Sequence, residues 1–220
     1  MSSLADRAAL QAIPCPREPA SLHRYANSRK LKNLLDGLGA TPSEIPVFLN
    51  YMGRHGLASA PDALISGPFS HVNRKSSAQK GRFDADDFPA FYAALDEQTA
   101  AAEVAHYMSH PHPPRALHYH KEYLTCDFLG HVRDVTSNLT IWPFLTGTTT
   151  AEYADCLQLA RWAVALDTDA FFTPSARNPA GTCCPVFNKD CLSPSTVAVV
   201  KVLVFEYDAS GTLIQTYEAP

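Results

Sequence analysis

From Gly81 to Glu103 the chain reads GRFDADDFPAFYAALDEQTAAAE. The stretch holds an arginine beside a phenylalanine (Arg82, Phe83), a tyrosine closing a short apolar run (Tyr92) and a carboxylate (Glu103). The TAAA run before Glu103 favours helix, and its small side chains let that helix lie close against a sheet. A strand ending at Tyr92, a tight turn and a helix delivering Glu103 would build one wall of a pocket. An arginine, an aromatic ring and a carboxylate suit a substrate that is phosphorylated, aromatic and positively charged, as NAD is.

Other constellations carry less. His106, His110, His112, His118 and His120 crowd together, and His106 and His110 are one helical turn apart. The residues between that pair are Tyr107, Met108 and Ser109, so the HExxH pattern of a zinc hydrolase is absent. These histidines read as exposed or structural, and no metal is expected. The six cysteines, Cys15, Cys126, Cys156, Cys183, Cys184 and Cys191, contain no CxxC pair. They read as reduced thiols. Cys183 or Cys184 with a distant histidine is the competing nucleophile, and no GxSxG supports a serine one.

The elements that must position Glu103 follow from pattern. The 220 residues, 46% hydrophobic and 18% charged, are enough for one sizeable domain. A formal net charge of −4 and a pI of about 6.1 argue against broad electrostatic binding to nucleic acid or to anionic membrane. No run is long and apolar enough for a membrane helix, and MSSLADRAALQ lacks the pattern of a secretory signal. Residues 1–20, with Pro14, Pro16 and Pro19, read as an N-terminal arm or a short helix with a loop. Helices are expected over LKNLLDGLG, after Pro42, from about Glu97 to Met108, and over AEYADCLQLARWAVAL. Strands are expected over 63–72, once or twice within ALHYHKEYLTCDFLGHVRDVT, and on both sides of the loop after Phe172. VAVVKVLVFEY reads as a buried strand opening a final hairpin around Asp208–Gly211. Together these predict a single mixed α+β domain.

In order along the chain, LHRYANSR, FSHV, GRF, AFYAALDEQTAAAE, TPSARNPAGTCCPVF and VLVFEYDASGTLI resemble the motifs of the larger branch of the RES-domain family. These are toxins of bacterial toxin–antitoxin pairs, named for their Arg, Glu and Ser residues. The resemblance spans roughly residues 21 to 216, with Gly81 standing where the family has serine. It implies a domain over 21–220 similar to ADP-ribosyltransferases, with central β-sheets flanked by helices. Arg24 matches the family arginine, with Arg29 and Arg54 as competitors, and Glu103 and Ser175 match the other two signature residues.

The resemblance further implies NAD as the substrate, with no cofactor and no metal. Glu103 would stabilise the ribose as nicotinamide departs, with Arg24, Tyr92 and Ser175 as its catalytic companions. Arg24, His71, Arg82, Phe83 and Tyr92 would bind NAD, Tyr92 by stacking on the nicotinamide and the arginines by holding phosphate oxygens. Hydrolysis or phosphorolysis of NAD in the cytoplasm is the expected reaction; ADP-ribosylation of a protein, or partner binding without catalysis, are the alternatives. A cognate antitoxin with a helix-turn-helix domain is the implied partner, so that this chain itself touches neither DNA nor membrane.

Overall fold

The computed structural model describes residues 4–27, 61–69, 81–85, 87–109 and 117–218. The helices expected within 31–56, and His71, Arg29 and Arg54, lie outside these residues. The described elements, in chain order, are α1 (Leu4–Ala12), β1 (Arg17–Asn27), α2 (Pro61–Phe69), β2 (Phe91–Ala94), α3 (Glu97–Met108), β3 (Leu117–Asp134), α4 (Thr150–Val164), β4 (Ala170–Pro174), β5 (Thr182–Val186), β6 (Ala198–Tyr207) and β7 (Leu213–Glu218). The architecture is mixed α+β.

The seven strands run β1-β2-β5-β4-β3-β6-β7, and β1 also pairs with β3. Five strands therefore close a ring, and β6 and β7 extend outward from β3. The 18-residue length of β3 makes this possible. Its antiparallel pairing with β1 runs from Arg17↔His131 to Asn27↔Lys121. Its other edge carries β6 up to Thr125 and then, parallel, β4 from Val132 to Asp134. The ring closes between β1 and β2 through the single pair His23↔Ala94.

Strand alternation sorts the side chains. Leu22, Ala26, Phe91, Ala93, Leu124, Cys126, Ala170, Cys184 and Val186 form one buried cluster inside the ring, joined by Leu64 and Ile65 of α2. On the outer face, Leu10, Phe83, Trp142, Leu159, Ala163 and Phe171 form a second cluster beneath α1 and α4. A capping box at Thr149 and Glu152 starts α4.

Three expectations change. The segment expected as a strand over 63–72 is helical over Pro61–Phe69, because consecutive Leu64 and Ile65 both turn into the same core, which a strand's alternation forbids. β6 is only half-buried: its C-terminal half packs inward, while Val200 is 59% exposed. Residues 4–16 take the second of the two expected forms, a short helix and a loop, and pack into the body instead of standing off as an arm. Leu10 is fully buried, and β1 already begins at Arg17. The buried Arg133 fixes α1 in place: it donates to the carbonyls of Leu10 (3.2 Å) and Ile13 and to Thr168 Oγ1 (2.9 Å). It thus satisfies carbonyls at the helix end that have no partner within the helix.

Arg133→Met should leave the Ile13 carbonyl without its donor, while Leu10 O keeps the Ile13 N–H at 3.1 Å, and cost about 1–3 kcal/mol, the range for a buried group left unsatisfied. Urea unfolding would give the loss, and amide exchange should rise first across 4–12. Unchanged protection of that helix would show that Arg133 does not hold it.

Candidate functional site

The site is built from the start of α3 upward. Asp96 caps the helix, accepting from the Thr99 backbone N–H and from Thr99 Oγ1, both at 2.7 Å. Such a cap contributes about 1 kcal/mol. Glu103 stands four residues beyond Thr99, on the same helix face. Thr99 is fully buried, and its Oγ1 accepts a hydrogen bond from Asn178 Nδ2 at 2.9 Å. Asn178 belongs to the loop between β4 and β5, which reaches the helix only because residue 181 is glycine. A Cβ there would lie 2.0 Å from Thr99 Oγ1.

The same loop folds around Ser175. The Ser175 N–H donates to Gly181 O at 2.9 Å, and Ser175 Oγ accepts the N–H groups of Arg177 (3.1 Å) and Asn178 (3.0 Å). With those acceptor positions filled, the Ser175 hydroxyl proton goes to Glu103 Oε1 at 2.6 Å. Two further donors reach that oxygen: Cys183 Sγ and Arg82 Nη2, each at 3.5 Å. Arg82 is buried, and its Nη1 donates to Leu145 O at 2.7 Å, in the 3-10 turn Pro143–Thr146 just before α4. Glu103 Oε1 is therefore the common acceptor for α3, the β4–β5 loop, β5 and the Arg82 turn. Oε2 has no hydrogen bond among the described residues, and the side chain keeps 19% exposure.

Electrostatics follow the geometry. Burial alone would lower the Arg82 pKa, but the Glu103 carboxylate, with smaller contributions from Cys183, Tyr92 and Cys156, turns the net shift upward, so the guanidinium stays charged. Burial, and then the charge of Glu103, pushes the Cys183 thiol up to about 12. Cys183 is thus a protonated donor at neutral pH and not a nucleophile. Cys184 is raised further by burial inside the ring. Among the described residues, no group of three His, Cys, Asp or Glu could hold a metal; His110 and His112 lie outside them.

Of the residues expected at the site, the structure unites Arg82, Glu103 and Ser175. The other described ones take different places. Phe83 is 2% exposed and packs edge-on against Phe171 at 5.9 Å, so it belongs to the core and offers no face to a substrate. The Tyr92 hydroxyl accepts the Phe83 N–H, and burial holds it well above its ordinary pKa. Its ring lies against Gly81, where a Cβ would sit 2.6 Å away. Tyr92 braces the Gly81–Asp84 turn and is not placed to stack on a ligand. Gly81 is what that ring requires, which accounts for its standing where the family has serine. Arg24 leaves β1 on the Leu22 and Ala26 face, inside the ring, with its guanidinium 4.5 Å over Phe91 and Nη1 donating to Tyr92 O. Glu103 is on the outer face, so the structure does not pair the two.

Thr99, Asn178, Gly181 and the Leu145 carbonyl were not foreseen, and Cys183 enters as a donor to Glu103 where a nucleophile was the expectation. The Asp96-x-x-Thr99 cap and the four-residue step to Glu103 were readable signals for the first; a backbone carbonyl leaves none. Tyr107, one turn beyond Glu103 and 51% exposed, was also missed. Burial, and then the charges of Tyr153 and Glu103, pushes its hydroxyl up to about 12.

The mixed α+β architecture and this Arg–Glu–Ser cluster define a domain with one anchored carboxylate. A protein-family model of the RES domain matches residues 55–208, more than half of the chain, and the chain belongs to that family. Comparison with curated proteins gives no match. Five chains of solved structures match. One, in the toxin–antitoxin complex MbcT–MbcA of M. tuberculosis, is 14% identical, with 98% of this chain and 92% of that chain covered at a TM-score of 0.45. Among the described residues, no helix is long and apolar enough to cross a membrane.

Gly81→Ala should cost about 1–3 kcal/mol, the range for overpacking a filled core. Tyr92→Leu should remove most of that penalty in a double-mutant cycle. Equal penalties with and without the Tyr92 ring would refute the close packing. In the folded protein, iodoacetamide at neutral pH should leave Cys183 and Cys184 unlabelled by peptide mapping. Rapid labelling of either would contradict the thiol assignment.

Proposed function

We propose that this protein is an NAD-consuming enzyme that breaks the bond between nicotinamide and ribose. The observation that carries this reading is Glu103, whose Oε1 is fixed by Ser175, Cys183 and Arg82 while Oε2 is left without a partner among the described residues. Membership of the RES family supports it.

The chemistry follows from that arrangement. As the C–N bond lengthens, positive charge grows on the ribose, and a carboxylate beside it interacts more strongly with the transition state than with the ground state. The carboxylate must not swing away or lose its charge as the reaction proceeds. Three donors on Oε1 hold it in place, so little reorganisation is needed at the moment of reaction. The buried Arg82 does this without being spent on substrate, since its two ends are committed to Glu103 and Leu145. Ser175 acts through Glu103 by positioning it. Tyr107, exposed at the rim, takes the ring-stacking role first expected of Tyr92.

In this reading water or phosphate captures the ribosyl cation, and NAD is drained from the cytoplasm of the host cell. An enzyme with that effect needs restraint, and the resemblance of its motifs to toxins of toxin–antitoxin pairs supports a cognate antitoxin as its partner.

Glu103→Gln keeps the shape and removes the charge. Purified wild type should release nicotinamide from NAD, and the variant should be slower by about 10²-fold or more, roughly 2.7 kcal/mol of transition-state stabilisation. Chromatography with and without phosphate would identify the acceptor. Wild type that releases no nicotinamide alone, but labels lysate proteins from labelled NAD, would move the reading to protein ADP-ribosylation. No consumption in either setting would overturn it.

A further inference from the structure

Resting on that reading, we infer that Arg177 is the anchor for an anionic phosphate group of the substrate, and that the β4–β5 loop is a preformed phosphate subsite beside Glu103. The first support is elimination among the arginines expected to hold phosphate. Arg82 is buried, with its guanidinium divided between Leu145 O and Glu103. Arg24 lies inside the ring over Phe91 and donates to Tyr92 O. Neither presents an open fork to the site.

Arg177 does. It is half-buried, its Nε is shielded from solvent without a hydrogen-bond partner, and it enters no ion pair among the described residues. A buried, unsatisfied guanidinium N–H is costly, and an oxyanion presented in the guanidinium plane would remove that cost. Carboxylates and phosphates both fit the fork. The neighbouring acid, Glu103, is already committed through Oε1 to Ser175, Cys183 and Arg82.

Placement and rigidity add a second line. The Arg177 N–H donates to Ser175 Oγ, the same atom whose proton goes to Glu103. The backbone carrying the guanidinium is therefore separated from the proposed reacting carboxylate by a single hydroxyl. The turn is pinned at both ends, by Ser175 N–H to Gly181 O and by Asn178 Nδ2 to Thr99 Oγ1. An arginine on a fixed turn loses less entropy on binding than one on a free loop. The subsite distinguishes a nucleoside diphosphate from its bare nucleoside, which gives the test.

ADP and adenosine would be titrated calorimetrically into wild type, Arg177→Gln and Arg177→Lys, with circular dichroism and thermal melting confirming that each variant folds. Wild type should bind ADP at least about tenfold more tightly than adenosine. Arg177→Gln should abolish that preference and Arg177→Lys keep part of it, because lysine retains the charge without the fork. With NAD, Arg177→Gln should raise KM about tenfold and leave kcat within about threefold, the mark of binding lost equally from ground and transition states. Equal binding of ADP and adenosine by wild type, or an undiminished preference in folded Arg177→Gln, would overturn the subsite. If wild type cleaves NAD while Arg177→Gln keeps its preference for ADP, the subsite fails and the catalytic reading stands. If wild type prefers ADP through Arg177 but consumes no NAD, the subsite stands and the catalytic reading fails.

Discussion

The site is organised by one oxygen atom. Glu103 Oε1 accepts from Ser175, Cys183 and Arg82, and each donor arrives on a different part of the chain. At 19% exposure the carboxylate has given up most of its contact with water, and these donors take the place of that water. The rest of the local structure can be understood as what brings those donors in. The Asp96 cap sets the start of α3, Gly181 lets the β4–β5 loop touch that helix, and Leu145 O holds the far end of the Arg82 fork. Removing any one donor also leaves the other partners with buried groups unmet, so the cluster behaves as a unit and not as a sum of pairs.

That coupling decides what could be read from sequence. α3 was legible to the residue, because the small-residue run, the acidic start and the break after Met108 all agree. The α4 helix, the β4–loop–β5 unit and the final hairpin were equally plain from their periodicity. The 61–69 segment was not: three apolar residues in a row, Ala63 to Ile65, are consistent with either period, and only the ring that buries Leu64 and Ile65 decides for helix. The start of the body was misjudged for a related reason. Three prolines in residues 14–19 look like a linker, yet Pro19 lies within the paired strand β1, and the partner that makes the strand, β3, is a hundred residues away.

Within the site, Glu103, Arg82 and Ser175 were readable as residue types, but Phe83, Tyr92 and Arg24 took other roles. Alternation explains one of them, and turn packing another. Arg24 shares a face with Leu22 and Ala26, so it turns into the ring, and Phe83 is turned into the cluster beneath α4. Spacing along a sequence cannot reveal which face of a closed ring carries the chemistry. Tyr92 and Gly81 teach the complementary point. The glycine that looked like a lost serine is the space in which the tyrosine ring lies, and the two are one packing solution.

Charge completes the argument. The chain as a whole is negative, with a formal charge of −4, so its distant field does not draw in an anionic dinucleotide. At physiological salt such a field is screened beyond about 8 Å in any case. Recognition must therefore come from charges at contact. Glu103 and Arg82 neutralise one another, and the pair alone would leave the site without attraction for phosphate. Arg177, without an ion pair among the described residues and carried on the loop that holds Ser175, adds a positive charge to this neighbourhood. A site with one fixed negative charge for a developing cation and one positive charge for a phosphate orients a substrate that carries both. It does so without placing the substrate's own anion against Glu103.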